Sequence, residues 1–232
     1  MRQATRCRIG VVGAGTAGLY LALLLQRAGH RVTLFEKAPD PRVDGCGILL
    51  VASGLAAVAA GGADDVLERV LAGGLPVQRF VIRNLRGGQI ESSPAPPPEN
   101  GQLPSLLIHR KAILAALWQG FDAADFRGAH ALESWRQNAD GVEACFANGE
   151  TWRGDLLIGA DGLFSRVAPS LVPQRRLNYL GDRVWRGVVE DGEFCTEGSF
   201  FVYARGRGIY ANFFDLGLSP EGTPLTHWGF FH

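Results

Sequence analysis

Gly13-Ala14-Gly15-Thr16-Ala17-Gly18 has the spacing G-x-G-x-x-G, and Glu36 follows it at about the 20-residue interval where a nucleotide fingerprint places an acid. The chemistry open to such a set is recognition of a dinucleotide. Gly13 permits a tight turn, Gly15 lets a pyrophosphate approach bare backbone, and Gly18 lets a helix lie close on a sheet. Thr16 and Ala17 open that helix, whose unpaired N–H groups and positive dipole end would face the phosphates. Glu36, with Lys37 beside it, is placed to accept the two hydroxyls of an adenosine ribose. A carboxylate there repels a 2′-phosphate, so FAD or NAD suits this turn better than NADP. A second cluster, Gly159-Ala160-Asp161-Gly162, reads as another grip on the same cofactor, FAD.

Such residues work only if strands and helices bring them together. Ile9, Val11 and Val12 form an apolar strand into the first turn, residues 19–25 an apolar helix out of it, and residues 31–35 a second strand ending at Glu36. This is a β-α-β unit with a parallel sheet and right-handed crossover. Ser53 is placed to cap a helix through residue 60, and helical spacing returns over 63–72. Residues 77–84 turn to β, and the prolines within 93–101 predict an exposed loop. Residues 106–110 then read as a strand re-entering the nucleotide fold, followed by a helix over 111–119. Turns at 138–141 and 148–149 predict a β-meander, and residues 156–158 a buried strand that delivers Asp161 at its carboxyl end, where open α/β sheets bind ligands.

After Pro173 the pattern changes to aromatic strands over 184–190, 199–204, 209–215 and 226–231. The expected class is α/β: a Rossmann-like FAD-binding fold over residues 1–172, with 76–104 as an excursion, and an incomplete, mainly antiparallel β substrate domain over 173–232. The last strand reaches the final residue, which predicts an unpaired apolar edge and a fragment of a larger protein.

Lys and Arg total 23, as do Asp and Glu, in 232 residues. No net field attracts nucleic acid or an anionic membrane. The four cysteines lack C-x-x-C spacing and the five histidines are scattered, so no metal site is expected. The basic and apolar start imitates a leader, but glycines at 10, 13, 15 and 18 interrupt it where the nucleotide turn needs them. The run 48–60 is too short to span a bilayer. A cytoplasmic protein is expected.

These motifs together resemble the class A FAD-dependent monooxygenases, the para-hydroxybenzoate and salicylate hydroxylase type, over essentially the whole chain. Gly13 to Gly18 with Glu36 is similar to the family's adenosine and pyrophosphate motif, and Gly45-Cys46-Gly47-Ile48 to its turn beside the flavin ring. His109-Arg110 with Leu114 resembles its H-R-x-x-L segment, which implies Arg110 over the phosphate and ribityl region. Asp161-Gly162 resembles its second motif, which implies the carboxylate near the same region. Residues 179–187 resemble the opening of its substrate domain, with Trp185, Arg186, Tyr210 and Asn212 as candidate pocket residues.

The resemblance implies hydroxylation of an aromatic or similarly apolar small molecule with O2. Electrons would come from NADH or NADPH, and a flavin C4a-hydroperoxide would carry the oxygen, so no catalytic side chain of the protein is assigned. Two departures stand out: Ala168 replaces the arginine that ends the second motif, although Arg166 is near, and a third, G-D-A segment is absent. The first bears on the nicotinamide route, because the family's second motif also serves NAD(P)H binding; the second predicts weak FAD binding and poor coupling unless a second polypeptide completes the fold. The open alternatives are another FAD oxidoreductase (oxidase, reductase or halogenase) or a catalytically incompetent FAD-binding subunit.

Overall fold

A computed structural model describes residues 6–41, 45–97, 102–190, 194–206, 208–219 and 221–232. In chain order the elements are β1 (Arg8–Val12), α1 (Thr16–Arg27), β2 (Arg31–Phe35), β3 (Gly47–Leu50), α2 (Ala52–Ala60), α3 (Asp64–Ala72), β4 (Gly74–Pro76), β5 (Arg79–Asn84) and β6 (Gln89–Pro94). There follow β7 (Leu106–His109), α4 (Arg110–Gly120), β8 (Phe126–Arg127), β9 (Leu132–Asn138), β10 (Gly141–Phe146), β11 (Thr151–Gly154) and β12 (Leu156–Gly159). The last are α5 (Ala168–Leu171), β13 (Val184–Glu190), β14 (Ser199–Arg205), β15 (Gly208–Leu218) and β16 (Pro224–Phe231). The chain divides into two compact units, residues 1–43 with 114–177 and residues 44–113 with 178–232. The chain crosses between the two units at 43/44, 113/114 and 177/178.

The first unit contains the β-α-β frame. Its parallel sheet has the order β12-β1-β2-β8, so the two strands leading into the two glycine motifs, β1 and β12, are hydrogen-bonded neighbours with Val12 opposite Gly159. Proximity of the motifs thus follows from strand pairing. The expected meander is present as the antiparallel set β11-β10-β9. Its apolar residues Val142, Ala144, Phe146 and Trp152 cluster with Val12 and Phe35, which fixes the parallel sheet from one side. β12 differs from expectation: Leu156 is 48% exposed, because this strand lies at the edge of its sheet.

The second unit contains two sheets. In the smaller, β7 pairs antiparallel with β3 and β4, so residues 106–109 do not re-enter the parallel sheet as their pattern implied. A strand pattern fixes which residues alternate, not which partner they meet. The larger sheet has the order β13-β16-β15-β14-β5-β6, and Leu107 and Val77 cluster with its Phe200 and Phe214.

β16 is interior in that order. The expected unpaired edge at the end of the chain is not there, because β13 runs back alongside it, from Val184 opposite Phe231 to Glu190 opposite Leu225. Ser93 and Pro94, expected in a loop, close β6 opposite Phe80 and Arg79; an outer strand tolerates the missing proline N–H. Residues 98–101 of that proline stretch lie outside the described residues. Ser53 does not cap α2, which starts after Val51 without a side-chain cap of its own. Instead the Ala52 N–H donates to Ser105 Oγ at 3.2 Å.

Candidate functional site

The turn after β1 behaves as its glycines require. Gly13 has φ +106°, where an L side chain is strained, and a Cβ there would strike the Ala160 carbonyl. At Gly18 a Cβ would strike the Gly13 carbonyl oxygen, so α1 can follow so tight a turn only without a side chain at that position. Gly15 is different: nothing lies within 4 Å of where its Cβ would be. It precedes α1 without a side-chain cap, and the helix has no acid in its first turn. The uncapped amides around Thr16 and Ala17, both exposed, face open space suited to an anion.

Glu36 closes the other side of that turn. Its Oε2 accepts from the Ala14 N–H at 2.9 Å and its Oε1 from the Ala38 N–H at 3.1 Å. The carboxylate is oriented by the backbone it braces, and each oxygen keeps a lone pair for a further donor.

Asp161 plays the corresponding part in the second motif. Its Oδ1 accepts from Ser165 Oγ at 2.6 Å and its Oδ2 from the backbone N–H groups of Arg166 at 2.6 Å and Val167 at 3.3 Å. Ser165 Oγ in turn accepts from the Ala168 N–H at 2.9 Å. The serine of the D-G-x-x-S pattern thus links the aspartate to the start of α5, and Ala168 takes part through its backbone.

Both motifs line one cavity of about 570 Å³ in the first unit, including Gly13, Gly15, Glu36, Lys37, Asp161 and Gly162. Lys37 and Arg166, both exposed, supply positive charge at its wall. Leu163 and Phe164 also line it and are 62% and 79% exposed. The sequence reading missed the wall from His130 to Glu133. His130 is buried, its Nδ1 2.6 Å from the Gly128 carbonyl and its ring against Phe35 and Phe146. Only the strand pairing places this segment beside Glu36, whose carbonyl accepts from the His130 N–H.

The remaining candidates belong to the second unit. Arg110 opens α4, and its N–H donates to the Cys46 carbonyl at 3.1 Å. Gly47 lies in β3 and donates its N–H to His227 Nδ1 at 3.1 Å. His227, also missed in the sequence, is 2% exposed and stacked on Phe214 at 4.2 Å. Burial, with the charge of Arg186 and then of His109, pushes its pKa from 6.5 down to about 4, so the ring is neutral at pH 7 and carries its proton on Nε2.

The sheet separates the four candidate pocket residues. Arg186 and Asn212 are both opposite Gly229 of β16 and so share a face with His227, two residues away. Trp185 is opposite Phe230 and lies on the other face. The register of β15 against β14 shifts next to Tyr210, and its ring lies edge-on to Phe230 at 6.1 Å. Asn212 Oδ1 is buried without a hydrogen-bond partner. Among the described residues, no group of three His, Cys, Asp or Glu could hold a metal ion, and no helix is long and apolar enough to cross a membrane.

Residues 6–179 match the family model described as FAD binding domain. Aurachin C monooxygenase/isomerase of Stigmatella aurantiaca is 34% identical over 220 residues, covering 94% of this chain and 55% of its own. The FAD-dependent urate hydroxylase of Klebsiella pneumoniae is 30% identical over 205 residues, covering 85% and 52%. Among solved structures, 2,6-dihydroxypyridine-3-hydroxylase of Arthrobacter nicotinovorans superimposes with a TM-score of 0.81 at 24% identity, covering 99% of this chain and 57% of that one. The chain spans about half the length of the curated relatives it matches.

Proposed function

The chain belongs to the family of FAD binding domains, and from that membership we propose that it forms part of an FAD-dependent monooxygenase that hydroxylates a small aromatic or similarly apolar ring. The observation that carries this reading is that the glycine turn, Glu36 and the Asp161 loop line one cavity. The residues present fit the cofactor: open space over Gly15 and an uncapped helix start for a pyrophosphate, an oriented carboxylate for ribose hydroxyls, and exposed apolar side chains beside them.

In this proposal Gly13, Gly15 and Gly18 shape the turn, while the amides at Thr16 and Ala17 hold the pyrophosphate. Glu36 accepts from the ribose, with Lys37 adding positive charge. Asp161, Gly162 and Arg110 bind toward the ribityl and phosphate part, and Gly47 borders the ring. When bound, FAD would supply the redox chemistry, with NADH or NADPH as reductant and O2 as oxidant. The protein's share is to orient the substrate and exclude water. Arg186 and Asn212 offer the substrate polar contacts from one sheet face, whereas Trp185, on the opposite face, does not share that wall. The relatives' names include a urate hydroxylase and an aurachin C monooxygenase, which supports a ring substrate. The proposed setting is cytoplasmic.

The test is titration of the purified chain with FAD and with NAD, followed by flavin and protein fluorescence. FAD should bind more tightly than NAD, and Glu36→Ala should weaken FAD by about 1–3 kcal/mol, the scale of a lost charge-assisted hydrogen bond. Equal FAD affinity in Glu36→Ala, or a preference for NAD, would overturn the assignment.

A further inference from the structure

A cavity of about 720 Å³ opens on the larger sheet of the second unit and shares no lining residue with the cavity of the first. Arg79, Val81 and Arg83 alternate along β5, opposite Ser199, Phe201 and Tyr203 of β14, and all but Tyr203 line it. The next residues along the two strands, Phe80 and Phe200, point the other way into the core with Leu107. The cavity therefore sits on the sheet face away from that core.

Two of its polar atoms are buried without partners. Ser199 is 8% exposed and its Oγ makes no hydrogen bond. Arg83 holds its guanidinium carbon 4.8 Å from the centre of the Phe201 ring, and its buried Nε–H also has no acceptor. Among the described residues, no carboxylate pairs with Arg79 or Arg83. Buried polar groups are nearly always satisfied in native proteins, and here the arginine Nε can only donate while the hydroxyl is free to do so. Donors and positive charge exclude a metal cation and call for anionic oxygen. Between the two arginines the floor is apolar, Val81 at 4% exposure and the Phe201 ring, and the arginine over that ring forms a slot edge that favours a flat ligand.

We propose that this cavity is a binding site for a small planar carboxylate, of the aromatic-acid class. The carboxylate takes the Ser199 hydroxyl and the Arg79 guanidinium, which are opposite each other in the strand register. The ring lies on Val81, against the edge of the Arg83–Phe201 pair. Glu197, a further lining residue, repels a carboxylate and so restrains affinity.

The full chain, saturated with FAD so that the first unit's cavity is filled, is titrated with 4-fluorobenzoate and followed by fluorine NMR. We expect saturable line broadening that unlabelled benzoate reverses, while inorganic phosphate and 4-fluorobenzyl alcohol have no effect at equal concentration. Arg79→Gln, at an exposed position that leaves the core intact, should weaken binding by about tenfold or more, the scale of one charge-assisted hydrogen bond. Glu197→Gln should tighten it by about threefold, the scale of one exposed charge pair. Absence of saturable binding, unchanged affinity in Arg79→Gln with parental circular dichroism, or displacement by phosphate would each overturn the proposal.

Discussion

At the scale of single residues, two glycines of one motif have separable jobs. Gly18 is closed by the Gly13 carbonyl, whereas Gly15 has ordinary φ −70° and open space. Gly18→Ala should therefore unfold at lower urea, by about 1–3 kcal/mol, the cost of forcing backbone in a packed site. Gly15→Ala should keep the parental midpoint and lose FAD affinity, because its methyl occupies the space proposed for the pyrophosphate. Equal loss of stability in both variants would contradict this division.

His227 gives a second residue-scale prediction. Its pKa is about 4 in the folded chain and 6.5 when unfolded, so between these values the unfolded chain binds more protons. The contribution of the buried neutral ring is complete above about pH 6.5 and is lost as pH falls toward 4, amounting to about 3 kcal/mol over that window. His227→Phe leaves the Gly47 N–H without its acceptor and should start less stable, but with a flatter acid limb. Urea midpoints measured from pH 7 to pH 4 for both proteins check the sign.

At the scale of elements, the loop between β12 and α5 is held by one serine. Ser165 donates to Asp161 and caps the Ala168 N–H, so the aspartate's orientation depends on a neighbour four residues away. Ser165→Ala should cost about 1–2 kcal/mol, as caps and buried hydrogen bonds do. It should also weaken FAD, whereas Ser165→Thr should restore both. Chemical denaturation and FAD titration of the pair test this. An unchanged FAD affinity in Ser165→Ala would mean that the loop does not position Asp161 for the cofactor.

At the scale of the whole molecule, the strand order makes a prediction opposite to the one read from chain position. β16 is flanked by β13 and β15, so its amides should be among the slowest to exchange with deuterium. β13 and β6 are the outer strands, and those of their amides that point away from β16 and β5 should exchange faster. Residue-resolved hydrogen exchange decides between the two orders; rapid exchange along residues 226–231 would show that the last strand is an edge after all.

Local signals alone determined the glycine turn, the strand ending at Glu36, the meander and the position of Asp161 at a strand end, because hydrophobic period and turn chemistry act over a few residues. The choice of partners was decided elsewhere. That β7 joins β3 and not the parallel sheet, that β13 covers β16, and that Ser105 caps α2 depend on contacts made across long stretches of chain. The same holds at the candidate sites: His130 and His227 carry no local mark, and Arg186 and Trp185 are adjacent in sequence yet on opposite sheet faces. A side chain's type and period fix which face it takes, while its neighbours on that face are set by the register of strands distant in sequence.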